Sequence, residues 1–213
     1  GSGIIEDNIT FCTNEPDNYA LEEALLIKEK KGSGEVVVCT LGNDSSSQTI
    51  KDALAKGADR AMQIIETNPN QLDPLTTAKI FCKAIKEEEF DLVLSGLQSD
   101  DGGHSQVGVI LAELLGTSHA SLVVGTNFGD GVCKVKRELE SGWFQMVELT
   151  LPASMTIQSG LNKPRYASLK GIMGVKNKPK EKKTLDELGF GDIKSKTKNI
   201  KMLNVDKSTI KDK

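Results

Sequence analysis

A strand-to-helix handover at residues 91–116, DLVLSGLQSDDGGHSQVGVILAELLG, decides the class of fold open to this chain. Leu92, Val93 and Leu94 form a short apolar run stopped by Ser95 and Gly96, the pattern of a strand covered on both faces in a parallel sheet. Val107, Ile110, Leu111, Leu114 and Leu115 then recur at helical spacing, so a helix is predicted to begin near Ser105 and to end at Gly116. The connecting LQSDDGGHS has no large apolar side chain after Leu97. Such a loop places backbone N–H groups at the positive end of a helix, and its small residues let an anion come close. A nucleotide phosphate is expected there, with an ordinary solvated loop as the competing reading.

The flanking sequence repeats the same alternation. Tyr19 to Lys31 carries Ala20, Leu21, Ala24, Leu25 and Ile27 on one stripe with charged residues outside it, a helix capped by Asn18 or Asp17. Glu35 to Leu41 reads as a buried strand, Gln48 to Lys56 as a helix closed by Gly57, and Arg60 to Ile65 as a further strand. Asp73 and Pro74 open the helix that leads into Asp91. This order predicts a mostly parallel sheet with right-handed crossovers and helices on both faces, its ligands gathered at the carboxyl ends of the strands. Leu122 to Thr126 and Val132 to Arg137 flank a turn at Asn127, Gly129, Asp130 and Gly131, and Phe144 to Leu151 alternates. An antiparallel hairpin is therefore expected as an addition to the sheet. The opening GSGIIEDNITFC is β-like but is not a central strand, so an N-terminal strand is expected to be missing. Beyond Leu161 the sequence turns Lys-rich and weakly periodic. Residues 1–161 are thus expected to form the α/β domain and 162–213 an extended C-terminal arm.

Composition removes several functions. A formal charge of −3 and a pI near 5.6 give no general electrostatic case for nucleic acid. Cys12, Cys39, Cys82 and Cys133 never approach CxxC spacing, and His104 and His119 lie far apart, so no metal site is expected. No apolar run approaches the roughly 18 residues of a membrane span and no signal-peptide pattern is read at the start, so cytoplasm or an organelle matrix is the expected location. No Ser, His, Asp constellation or paired-carboxylate site stands out, so no catalytic residues are assigned.

Three stretches together resemble the β subunit of electron-transfer flavoproteins. They are NEPDNYALEEALLIKEK at residues 14–30 with ALAKGADRA at 53–61; the Gly96, Gln98, Asp100, Asp101, Gln106, Gly108 series; and VKRELESGWFQMVELTLPASMT at 135–156 running into LNKPRYASLKGIM at 161–173. The resemblance implies a Rossmann-like, adenine-nucleotide α-hydrolase-like fold. It also implies half of a heterodimer that carries electrons between flavin (acyl-CoA type) dehydrogenases and an acceptor. The α subunit would hold most of the redox FAD, this chain would wall it, and its own site would hold AMP or a second FAD. The implied nucleotide ligands are Asn14, Glu15, Pro16 and Asp17, the strand end at Leu41, and Gly96, Gln98, Ser99, Asp100, Asp101, Gly102, Gly103, His104, Ser105, Gln106 and Val107. Glu138, Arg165, Tyr166 and Leu169 are the implied partner contacts, with Leu169 entering an apolar pocket of a flavin dehydrogenase. The location implied is cytoplasmic, or the mitochondrial matrix in a eukaryote.

The sequence also departs from the family. The family's opening strand and lysine-containing loop have no counterpart in this sequence, so either it is a piece of a longer chain or the pocket is expected to lack one side. His104 stands where a cysteine or threonine is usual, Gly102 and Gly103 where AMP-type members carry acids, and Leu97 where a basic residue is common. The QVG at Gln106 to Gly108 resembles some bifurcating members, so AMP, the general type, and a second FAD both stay open. The alternative function is an adenine-nucleotide-binding regulatory or hydrolase-type module without redox role. That reading expects a compact Gly- and Ser-rich phosphate motif, and it leaves KPRY unexplained.

Overall fold

Helix α1 (Glu15–Lys31) starts well before Ala20, the first residue of its apolar stripe, with Pro16 in the first turn, where a missing N–H costs nothing. It stops at Gly32, whose left-handed φ of 71° lets its N–H reach the Lys28 carbonyl. There follow β1 (Val37–Gly42), α2 (Ser47–Lys56), β2 (Arg60–Ile65), α3 (Pro74–Ile85), β3 (Leu92–Gly96) and α4 (Val107–Leu115). Asp73 caps α3 by accepting the Thr76 N–H at 2.7 Å. The second half runs β4 (Ser118–Phe128), β5 (Val132–Glu138), β6 (Phe144–Thr150), β7 (Ala153–Ile157), α5 (Leu169–Gly174) and β8 (Lys180–Thr184). The structure, a computed structural model, describes residues 11–67, 72–129 and 131–191, so residues 1–10 of the β-like start expected at 1–12 lie outside it, and Phe11 and Cys12 are in no strand.

The fold is α/β and mostly parallel, as expected, but its strands divide between two sheets. One is all parallel in the order β1-β2-β8, and the other is mixed in the order β3-β7-β4-β5-β6. Helix α1 packs against both. Its Leu25 joins Ile50 and Leu54 of α2, Val36 and Ala58 beside the strands, and Ala61 of β2 at the first sheet, while Tyr19 and Ala20 join Val123, Val135, Met155 and Ile157 on the second. The strand read from sequence as covered on both faces, β3, is only half-buried along its whole length, because among the described residues it pairs on one edge alone, with β7.

Two strands were not anticipated. β7 is buried at every position and lies between β3 and β4. Its Ser154 is tolerated in the core because Ser154 Oγ shares a hydrogen bond of 2.7 Å with Thr117 Oγ1. β8 comes from the Lys-rich stretch expected to lack any core. It pairs in parallel with β2 from Ala61↔Lys180 to Ile65↔Thr184, and Leu188 just beyond it is buried with Met62, Ile64, Ile80 and Ala84. The C-terminal segment therefore completes the first sheet over this region instead of lying outside it.

Truncating Leu188 to Ala removes a core side chain where the neighbours are held by two sheet strands and α3. The expected cost is about 2–4 kcal/mol, read as a lower urea midpoint at unchanged slope.

Candidate functional site

The end of β3 is built around a contact that only glycine permits. A Cβ on Gly96 would sit 2.7 Å from both the Asp17 nitrogen and Pro16 Cβ, so the first turn of α1 lies directly on the strand end. Side chains then lace the two together. Asp17 Oδ1 accepts the Gly96 N–H at 2.7 Å. Asn14 Nδ2 donates to the Gln98 carbonyl at 2.8 Å and to Asp17 Oδ2 at 2.9 Å, while Asn14 Oδ1 accepts the Asp100 N–H at 2.9 Å. The Asn14 amide thus pairs with the loop as a peptide group would pair with a neighbouring strand. It occupies the N-cap position of α1, yet makes no cap hydrogen bond to its own helix.

The loop also closes on itself. Ser99 accepts the Gly103 N–H on its carbonyl at 2.8 Å and the Gly102 N–H on Oγ at 3.0 Å, and Ser105 Oγ donates to Gln98 Oε1 at 2.8 Å. Gly103 and Ser105 have φ of 60° and 53°. That left-handed turn at Ser105 keeps it out of the helix, so α4 begins at Val107, two residues later than its spacing predicted. Gly108 in the first turn would bring a Cβ within 2.5 Å of Ser95 Oγ and Thr156 Cγ2, so α4 sits tightly over the ends of β3 and β7. The Gln106 side chain makes no cap hydrogen bond, which leaves the first-turn N–H groups of α4 without a side-chain acceptor. By contrast, a Cβ on Gly103 meets nothing within 4 Å, and residues 98–106 are all exposed.

Asn14, Pro16, Asp17, Gly96 and the loop from Gln98 to Ser105 therefore form one surface, with Glu15 and Val107 beside it in the first turns of α1 and α4. Leu41 belongs to the other sheet and packs with Met62, Ile64 and Ile80. No described hydrogen bond joins it to the loop. Ser95 and Thr156 are site-shaping residues that sequence reasoning passed over; the glycine three residues into the helix pattern was the available signal.

The residues expected to touch a partner lie elsewhere. Arg165 Nε and Nη2 each meet Glu22 at 2.9 Å, Nη1 and Nη2 meet Glu29 at 2.5 and 3.1 Å, and the Arg165 N–H donates to Glu22 Oε2 at 3.0 Å. The guanidinium expected to need a partner is thus engaged by α1 of its own chain. Hydrogen bonding to the two carboxylates raises its pKa, and Arg165 in turn holds Glu29 below the usual carboxylate range. Asn162 Nδ2 donates to the Tyr19 carbonyl at 3.0 Å and to Glu23 Oε2 at 3.1 Å, and the other oxygen of Glu23 accepts from Thr126 Oγ1. Glu138, at the end of β5, accepts from Gln158 at 3.5 Å. Tyr166 is 94% exposed and Leu169 is 75% exposed.

Comparison with known proteins identifies a family. The family model for the electron transfer flavoprotein domain matches residues 2–188. The chain belongs to that family. It is 39% identical over 193 residues to the electron transfer flavoprotein subunit beta of Methylophilus methylotrophus, covering 89% of this chain and 73% of that one. To the subunits of the same name from Bacillus subtilis and Bos taurus it is 36% and 34% identical, over 92% of this chain and 77% and 76% of theirs. The competing hydrolase-type reading gains no support from these matches. Among the described residues no cluster of metal-ligating side chains occurs, and no helix is long and apolar enough to cross a membrane.

Two outcomes are expected. Asn14→Ala removes both hydrogen bonds to the loop backbone and should cost about 1–3 kcal/mol, with faster hydrogen exchange at the Asp100 amide. Arg165→Ala strands the buried Glu22 and should cost about 3–5 kcal/mol at neutral pH. Because Glu29 is depressed in the folded chain, its share is complete above its unfolded value and is lost as pH falls through the native one. The gap in melting temperature between the two proteins should therefore narrow below about pH 4.3.

Proposed function

We propose that this chain is the β subunit of a heterodimeric electron transfer flavoprotein, an electron carrier between flavin dehydrogenases and an acceptor. The surface joining α1 to the β3–α4 loop is its nucleotide site. The observation that carries the reading is the convergence of the Asn14 and Asp17 strap with the uncapped start of α4 at the carboxyl end of the second sheet. An adenine nucleotide fits there: the first-turn N–H groups of α4 face a phosphate, and the open side of Gly103 admits it. The acidic Asp100 and Asp101 would repel a phosphate and suit a ribose hydroxyl. FAD, when bound with the α subunit, supplies the redox chemistry, and this chain binds the nucleotide and walls the flavin.

The exposed apolar surface supports a heterodimer. Trp143, Phe144 and Met146 are 73%, 48% and 68% exposed around the start of β6, and Lys136 Nζ lies 3.7 Å above the Phe144 ring. A sheet face of this kind marks a protein contact, here with the α subunit. Leu169 on α5 is the proposed contact with a dehydrogenase.

Acid extraction of the co-expressed complex is the deciding experiment. One flavin per heterodimer means AMP or no nucleotide in this site, two mean a second FAD, and a complex that never holds flavin sinks the proposal. Gly103→Val should release the nucleotide with the sheet still folded. Leu169→Ala should leave flavin content unchanged and weaken dehydrogenase docking by about tenfold, since burying one leucine contributes roughly 1.5–3 kcal/mol.

A further inference from the structure

One row of paired residues crosses the whole second sheet. Gly96 of β3 faces Ile157 of β7, Ile157 faces Val123 of β4, Val123 faces Arg137 of β5, and Arg137 faces Gln145 of β6. The row begins at the strand end that carries the β3–α4 loop, and its middle is distorted. Between Ala120 and Val123, β4 sets two residues, Ser121 and Leu122, opposite the single Thr156 of β7, the two-against-one count of a β-bulge. Leu122 has a left-handed φ of 59° there, a conformation that a leucine keeps only when its surroundings impose it.

Arg137 imposes it. Its Nε donates to the Ser121 carbonyl at 2.8 Å and its Nη2 to Ser121 Oγ at 3.0 Å, while Nη1 donates to Gln145 Oε1 at 3.0 Å. The Ser121 carbonyl and the Leu122 N–H belong to one peptide group, so the guanidinium fixes the orientation of that N–H. Among the described residues no carboxylate lies within ion-pair distance of this half-buried cation, and its charge is directed at the backbone instead. The Leu122 N–H in turn points at Thr156 Oγ1, 3.4 Å away. Thr156 is buried, and a Cβ on Gly108 would lie 2.5 Å from its Cγ2. One arm of this threonine is thus held by the bulge, and the other lies under the first turn of α4. On the same row the Val123 carbonyl accepts the Gln158 N–H at 2.9 Å, and the Ile157 carbonyl accepts the N–H of Leu97, where the loop opens, at 3.0 Å.

We propose that Arg137 is a positioning residue for the nucleotide: by bracing the Ser121–Leu122 bulge it fixes Thr156, and Thr156 sets where the first-turn N–H groups of α4 stand against a phosphate. The inference rests on the nucleotide site proposed above and adds a residue that acts through Ser121, Leu122 and Thr156. Hydrogen bonds weaken steeply off line, so a small shift of α4 is read as faster release of the ligand. A brace differs from an ordinary stabilising contact in one respect. It becomes dispensable once residue 122 can hold the left-handed conformation unaided, as glycine does.

The test dilutes the co-expressed heterodimer and counts retained AMP and FAD separately over time, after acid extraction, with the melting temperature measured in parallel. Gly103→Val identifies the nucleotide of this site as the one it releases. Arg137→Gln should release that nucleotide about tenfold faster than the unmutated complex, and Arg137→Lys, which keeps the charge without the fork, about as fast. Leu122→Gly alone should stay within about twofold of the unmutated rate, and combined with Arg137→Gln it should bring release back to within about threefold. If Arg137→Gln fails to assemble, Thr156 carries the test. Thr156→Val keeps the methyl and loses the acceptor, Thr156→Ser does the reverse, and each should speed release about fivefold. Release by Gly103→Val with unchanged retention in the Arg137 variants, or in both Thr156 variants, overturns the brace and leaves the site standing. Fast release in Arg137→Gln that tracks a lower melting temperature and is not restored by Leu122→Gly makes the arginine structural only and also overturns the brace. Unchanged retention of both AMP and FAD in Gly103→Val overturns the site, and this inference with it.

Discussion

Two carboxylates buried on one helix organise this molecule. Glu22 and Glu23 are only 5% and 8% exposed, and an ionised carboxylate at that depth is tolerated only with charged or hydrogen-bonding partners. Those partners all come from far along the chain: Arg165 is 143 residues from Glu22, and Thr126 and Asn162 are 103 and 139 residues from Glu23. A single helix in the N-terminal third thereby gathers β4, the start of the C-terminal segment and, through its apolar stripe, both sheets. Its first turn also carries Asn14 and Asp17. The surface joining α1 to the β3–α4 loop and the segment ahead of Leu169 are therefore fixed to the same rod, roughly 25 Å long at 1.5 Å per residue.

Periodicity located the elements whose faces differ sharply. α2 and β2 fall where spacing put them, to within a residue, since each has one apolar side and clear glycine or charge boundaries. β7 escaped because Ser154 and Thr156 break its apolar run, and a buried hydroxyl looks polar until its partner is known; Ser154 has Thr117, and Thr156 Oγ1 accepts the Leu122 N–H. β8 escaped for the opposite reason. KEKKT is made a strand by backbone pairing with β2, and its lysines stay largely at the surface of an edge, a role for which charge is suited.

The site shows the same division. The loop's place between β3 and α4 was legible, because a short apolar run, a small-residue stretch and a helical pattern follow one another there. Its construction was not. Gly96, Gly103 and Gly108 look alike in sequence, yet Gly96 and Gly108 admit backbone and side chains within 2.7 Å, while Gly103 opens onto space. Arg165 looked like a residue awaiting another protein, and its partners proved to be Glu22 and Glu29, which spacing alone cannot bring opposite it.

The parallel pairing of β2 with β8 carries a consequence for how the chain is made. More than a hundred residues separate Ala61 from Lys180, so the first sheet cannot be finished until nearly all of the described chain has emerged. At ~5–20 residues per second, the outer edge of β2 stays unpaired on the ribosome for roughly ten seconds, with Met62 and Ile64 still lacking the cover of Leu188. The second sheet lies between them in the sequence and closes first, so synthesis order and sheet order run against each other. A nascent chain in that interval displays an open apolar edge of the sort that recruits chaperones or a second nascent copy.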